Sequence, residues 1–285
     1  MEVLTVDEDV EKNYMPSQWS PGLKGVARMQ RFLHLCEIQG HHNNLVSPVE
    51  HVSYGPDERQ GLNIMRCGTD ETVLVFVHGG FWLEGDRHMH NFIAHGLHLH
   101  NITAVTLGYR LASPGSGLDH CVEDVVRGVE KVQELFPSSS ILLSGHSAGG
   151  HLIMVALPRL SSLRGIRKVF CVSGVYSIQD VANTTVGVQI GFNSDQVEKF
   201  TVSPHPCYDQ IELHLIVGQF DPPAFRKQAE KFAHRLARKG FRKRAVLVIP
   251  GEDHFSIVEN LFYEKSPLTM CFAGRYEARK KRSKL

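Results

Sequence analysis

Residues 141 to 151, ILLSGHSAGGH, pass from a short apolar strand through G-H-S-A-G into the first turn of a helix, and few backbones can carry that order. A serine at the tip of so sharp a strand-to-helix turn needs glycine on either side, because side chains at Gly145 and Gly149 would collide with the reversing backbone. The turn exposes the Ser147 hydroxyl and sets the backbone N–H of Ala148, at the positive end of the next helix, beside it. Ser147 is the candidate nucleophile. Ile141 to Leu143 read as a buried strand and His151 to Leu160 as a helix, the context the motif requires.

Around this centre, strand and helix alternate. VEHVSY and LNIMRC resemble an antiparallel pair at a sheet edge, and TVLVFVH (72–78) is a continuous apolar run of the kind buried on both faces. A helix at 87–100, the strand ITAVTLGY, a helix at 118–135, ILLSG, a helix from Ala148, KVFCVS, LHLIVG, a helix at 224–238, AVLVIP and a last helix after His254 complete the series. That rhythm predicts an α/β chain: a mostly parallel sheet of about eight strands with helices on both faces. Residues 1–45 form an N-terminal arm with a helix from Leu23 to Gln39, and 173–206, where the rhythm fails, form a cap-like insertion over the strand ends. Residues 275–285 are a basic tail, so 1–285 reads as one α/β domain with three appendages.

At 42% hydrophobic and 21% charged residues with a formal net charge of +1, the chain has no composition suited to a nucleic-acid partner. No apolar run approaches the roughly 18 residues that would span a membrane. The acidic start MEVLTVDEDVEKNY lacks the apolar core of a secretory signal, which points to the cytosol. Six scattered cysteines without a CxxC pair then read as reduced packing residues.

A nucleophile on such a sheet calls for an acid beyond the strand after the next one and a histidine last. Asp221 follows LHLIVG and His254 follows AVLVIP, both at strand C-terminal ends. His254 would accept the Ser147 proton and return it to the leaving group, while Asp221 holds the imidazole tautomer. Asp221 also suits a helix N-cap, and Asp253 is a rival acid; position in the loop favours Asp221. HGGFW (78–82), at the end of TVLVFVH, supplies a glycine-lined loop whose N–H groups at Gly80 and Phe81 would complete an oxyanion hole with Ala148. His78 reads as a loop-orienting residue, and Phe81 and Trp82 as either pocket lining or packing.

Together KNYMPSQW, HGGFW, LDHCVEDV, GHSAGGHL, VSGVYSIQ, VGQFDPPAF and DHFSIVENL resemble the kynurenine formamidase (arylformamidase) family of the α/β-hydrolase superfamily. The resemblance implies an α/β-hydrolase fold and hydrolysis of N-formyl-L-kynurenine to L-kynurenine and formate, without metal or cofactor. It carries a Ser147, Asp221, His254 triad and an oxyanion hole at Gly80 and Phe81. Tyr14, Trp19, Tyr176 and Asn183 are candidates for the amino-acid end of the substrate. The alternatives are a broad carboxylesterase or aryl-acylamidase with a roomier acyl site, and a catalytically silent ligand-binding relative. A homodimer is left open. The terminal Ser283, Lys284 and Leu285 read as a peroxisomal address for an import receptor, with nuclear import through the basic cluster a weaker reading.

Overall fold

Eight strands form one sheet in the computed structural model, which describes residues 6–276. They are β1 (Glu50–Ser53), β2 (Gly61–Met65), β3 (Thr72–Val77), β4 (Thr103–Leu107), β5 (Ser140–His146), β6 (Ile166–Val172), β7 (Glu212–Gly218) and β8 (Arg244–Ile249). The spatial order is β1-β2-β4-β3-β5-β6-β7-β8. β1 pairs antiparallel with β2, and β2 antiparallel with β4; every later pairing is parallel, as the edge hairpin and the alternating rhythm predict. The arrangement is the mostly parallel eight-stranded α/β sheet that the sequence predicts.

Ten α-helices flank the sheet among the described residues: α1 (Glu8–Tyr14), α2 (Gly25–Val46), α3 (Ile93–His98), α4 (Asp119–Leu135), α5 (Ala148–Ala156), α6 (Thr185–Ile190), α7 (Ser194–Phe200), α8 (Pro223–Arg238), α9 (Ser256–Glu259) and α10 (Pro267–Phe272). β3 shows why both faces are covered. Val73, Val75 and Val77 join one core with α4, α5 and α8, while Leu74 and Phe76 join the other with α2, α3, α9 and α10. All five side chains are fully buried, so the strand needs apolar residues at every position rather than at alternate ones.

Three helices differ from expectation. The arm helix does not end before Gly40 but runs on to Val46, because Gly40 is buried within it; a mid-helix glycine costs only about 1 kcal/mol and does not stop a helix that packs. The 87–100 helix is split into a 3-10 turn at His88–His90 and α3. Between them Asn91 is held to the sheet, its Oδ1 accepting from Asn63 at 3.0 Å and Thr106 at 3.2 Å. The last helix is three short pieces, α9, a 3-10 turn and α10.

Residues 173–206 carry a 3-10 turn (Val181–Asn183), α6 and α7. α1 is tied to them: Asp7 N–H donates to Asn183 O at 2.9 Å and Thr185 N–H to Glu11 at 2.7 Å. The chain passes from β3 to β4 on one side, then back across to β5 on the other. That reversal opens a crevice between the C-terminal ends of β3 and β5, where ligands of such sheets bind. Ser283, Lys284 and Leu285 lie outside the described residues.

Candidate active site

The register of β3 on β5 sets Val77 against Gly145, so HGGFW and GHSAG leave the sheet side by side. Their approach tolerates no side chain. A Cβ on Gly149 would sit 2.2 Å from the carbonyl oxygen of Val77, and one on Gly145 would sit 2.5 Å from the Gly149 backbone. Ser147 stands at the turn with φ 53° and ψ −118°, left-handed backbone that a non-glycine residue rarely adopts. Gly80 (φ 113°), Phe81 (φ 53°) and Trp82 (φ 63°) continue the same unusual geometry across the crevice.

These positive φ values turn main-chain donors away from the usual ladders. The N–H groups of Gly80, Phe81 and Ala148 donate to no protein acceptor among the described residues. Gly80 and Phe81 border the same cavity as Ser147, and Ala148 opens the helix α5 that follows it. Of the two aromatic residues left open between lining and packing, Phe81 lines the cavity, while Trp82 is buried in the core and shows only an edge to a smaller space beside Ser147. Trp82 Nε1 donates to Nδ1 of His151 at 3.2 Å, while His151 Nε2 donates to Phe200 O at 2.8 Å. Both His151 nitrogens are used, which fixes it as the neutral tautomer, and burial pushes its pKa down to about 4.

Asp221 leaves the end of β7 and does not cap α8, whose flanking residue is Pro222. Its Oδ1 accepts from His254 Nδ1 at 2.7 Å, with both side chains almost wholly buried. Its Oδ2 accepts from the Ser173 hydroxyl at 2.6 Å and from the N–H of Gly218 at 2.6 Å. With Nδ1–H committed to Asp221, the lone pair of His254 is on Nε2, and His254 and Ser147 line one cavity. Asp253, the rival acid, is occupied elsewhere: it binds Arg28 at 3.0 Å and accepts from the N–H groups of Phe255 and Ser256. Burial opposes its charge, but the Arg28 and Ser256 hydrogen bonds hold it down to about 2.

Several residues that shape the site escape a sequence reading. Ser173, at the end of β6, also has positive φ (49°); its only signal is a polar residue at a strand end between the strands of Ser147 and Asp221. His146 donates from Nε2 to the carbonyl of His254 at 2.8 Å, pinning the histidine loop, and burial holds it neutral. Arg28 of α2 bridges Asp253 and Glu259 at 3.0 and 2.6 Å, fastening the N-terminal arm to the segment after His254.

Ser147 touches two spaces of unequal size. One, of about 100 Å³, is bordered by Phe32, Met89, His254 and Phe255; the other, of about 10 Å³, is enclosed by Tyr14, Trp82, Val175, Val181 and Phe225. Of the residues suggested for the amino-acid end of a substrate, only Tyr14 reaches either space, at the small one. Trp19 donates to Lys12 O, and Tyr176 is buried and stacked on Phe232. Asn183 lines neither. Among the described residues no group of three His, Cys, Asp or Glu is placed to hold a metal ion, and no helix is long and apolar enough to cross a membrane.

A family described as having the alpha/beta hydrolase fold matches residues 74–257. The chain is 28% identical to the kynurenine formamidase of Salmo salar, covering 94% of this chain and 97% of that one, and 27% identical to that of Danio rerio, covering 92% and 94%. Among solved structures it is similar to a putative thioesterase from Silicibacter (TM-score 0.77, 23% identity, 92% of this chain and 97% of the other). A thermostable carboxylesterase from a metagenomic library is also similar (TM-score 0.64, 17%, 87% and 98%).

Proposed function

Because the chain belongs to the α/β-hydrolase fold family, we propose that it is a serine hydrolase of the kynurenine formamidase type, cleaving the formamide of N-formyl-L-kynurenine to L-kynurenine and formate. The supporting observation is the inequality of the two spaces beside Ser147. About 10 Å³ is room for roughly one water-sized group. A formyl carbon bears only hydrogen and fits there, whereas each added methylene of a longer acyl group meets Trp82, Val175 and Phe225. The larger, aromatic-walled cavity then takes the aryl leaving group.

In this reading Ser147 Oγ attacks the formyl carbon as His254 Nε2 takes its proton, with Asp221 stabilising the imidazolium. The carbonyl oxygen becomes an oxyanion facing the free N–H groups of Gly80, Phe81 and Ala148. His254 returns the proton to the aniline nitrogen, the C–N bond breaks and kynurenine leaves. Water activated by the same histidine hydrolyses the formyl ester, releasing formate and restoring Ser147.

The test is formate release from N-formylkynurenine, repeated with Ser147→Ala, and a series of formyl, acetyl and butyryl aryl esters. The expected result is turnover by the native protein, near-complete loss in the variant and a steep fall with acyl length. A flat acyl series would make the protein a broad esterase instead. Absent turnover, together with no labelling of Ser147 by a fluorophosphonate, would make it a silent relative.

A further inference from the structure

The larger cavity beside Ser147 has a largely apolar wall, in which Phe32, Phe81, Met89 and Phe255 take part. Glu84 is the one acidic residue on that lining, and no lysine or arginine shares it among the described residues. Loop geometry puts it there. The N–H groups of Leu83 and Glu84 both donate to Gly80 O, at 3.0 and 2.8 Å, closing a single turn that lays Glu84 over Gly80. The fit is so close that a Cβ on Gly80 would meet the Glu84 carbonyl oxygen at 2.3 Å.

The Glu84 side chain is exposed and makes no ion pair or hydrogen bond with the described residues. Nothing in the fold uses it. An unpaired carboxylate on an aromatic wall is matched by an alkylammonium, which gains opposite charge from the acid and the electron-rich faces of the rings. There is a second reason for a cation here. A bare negative charge beside the HGGFW loop opposes the oxyanion formed in acyl transfer, and an ammonium seated on Glu84 cancels that opposition. His90 and His146 on the same lining supply no rival positive charge, since burial keeps both neutral.

Resting on the formamidase reading above, we propose that Glu84 is a specificity-determining residue that binds the aliphatic ammonium of the substrate. The substrate class is then aryl formamides carrying an ammonium arm. An α-carboxylate is not required, because no cation on the cavity lining faces it.

Three substrates test this on the full chain: N-formylkynurenine, its decarboxylated amine formylkynuramine, and uncharged formanilide. The native protein should turn over formylkynuramine at least as efficiently as N-formylkynurenine. Glu84→Gln should raise KM for both ammonium substrates about three- to fivefold, the upper range of a solvated ion pair, with a smaller change in kcat. The loss should be at least threefold larger for them than for formanilide, and Glu84→Asp should recover part of it. Equal losses on all three substrates would mark Glu84 as a purely structural residue of the turn, and no loss on any would remove it from recognition. Either overturns the inference while leaving the formamidase reading intact. If the native protein hydrolyses none of the three, both fall.

Discussion

Ser173 donates its hydroxyl to Oδ2 of Asp221 at 2.6 Å, from a backbone held at φ 49°. With the Gly218 N–H on the same oxygen, this bond rotates the carboxylate so that Oδ1 points at His254. A hydrogen bond to a charged group is worth about 1.5–3 kcal/mol, and here it acts through the orientation of another residue. Ser173→Ala should lower kcat on the order of tenfold with KM little changed. Ser173→Gly should lose the same turnover yet melt higher than the alanine variant, because glycine relieves the positive φ. Steady-state kinetics and thermal melts of the pair separate hydroxyl from backbone; full turnover in Ser173→Gly would refute the orienting role.

The positions of Ser147, Asp221 and His254 were legible because each follows a strand at the same sheet edge, and strands announce themselves through runs such as VLVFV and LHLIV. Helix breaks were not. Gly40 resembles a stop signal, but tertiary packing carries α2 through it, and the break at Asn91 comes from side-chain bonds to β2 and β4 that no local pattern records. Ser173 and Arg28 were hidden for the same reason. Each works through a partner 48 or 225 residues away, and separation in sequence erases the signal.

Arg28 makes the clearest stability prediction. It lies buried between Asp253 and Glu259, with its guanidinium over the Phe255 ring at 4.7 Å. Arg28→Met keeps the bulk but leaves two buried carboxylates unpaired, which should cost about 3–5 kcal/mol in urea unfolding. Neutralising both acids in the same background, with Asp253→Asn and Glu259→Gln, should recover most of that loss. No recovery would mean that Arg28 acts by packing rather than by charge.

Acid should destabilise the fold well above the carboxylate range. Burial pushes His78 and His151 to about 4 and His90 to about 3, and holds His146 well below its ordinary value. Their unfolded pKa is about 6.5, so between pH 6.5 and 4 the unfolded chain binds more protons and stability falls as pH falls. Each such group contributes up to about 1.4 kcal/mol per pH unit in that window and nothing above it. Asp253, depressed to about 2, adds a separate loss only below about pH 4. Urea midpoints should be level from pH 8 to 7 and drop steeply from 6.5 to 5; a level profile down to pH 5 would contradict the neutral buried histidines.

Gly149 tests whether close approach of α5 to β3 holds the site together. A Cβ there would press on the carbonyl oxygens of Val77 and His78 at 2.2 and 2.5 Å, main-chain atoms that cannot rotate away. At Gly150, one residue on, the tightest contact is 3.0 Å, to Gly145 O. Alanine gains about 1 kcal/mol of helix propensity at either position, so the two substitutions differ mainly in how hard the added Cβ presses on the main chain. Gly149→Ala should therefore destabilise by about 1–3 kcal/mol and sharply reduce turnover, because α5 must retreat from β3 and take Ser147 away from Gly80 and Phe81. Gly150→Ala should stay within about 1 kcal/mol of the native protein. Equal stability and turnover in the two variants would show that the serine turn tolerates separation from the HGGFW loop, and the shared oxyanion role of Gly80, Phe81 and Ala148 would then have to be abandoned.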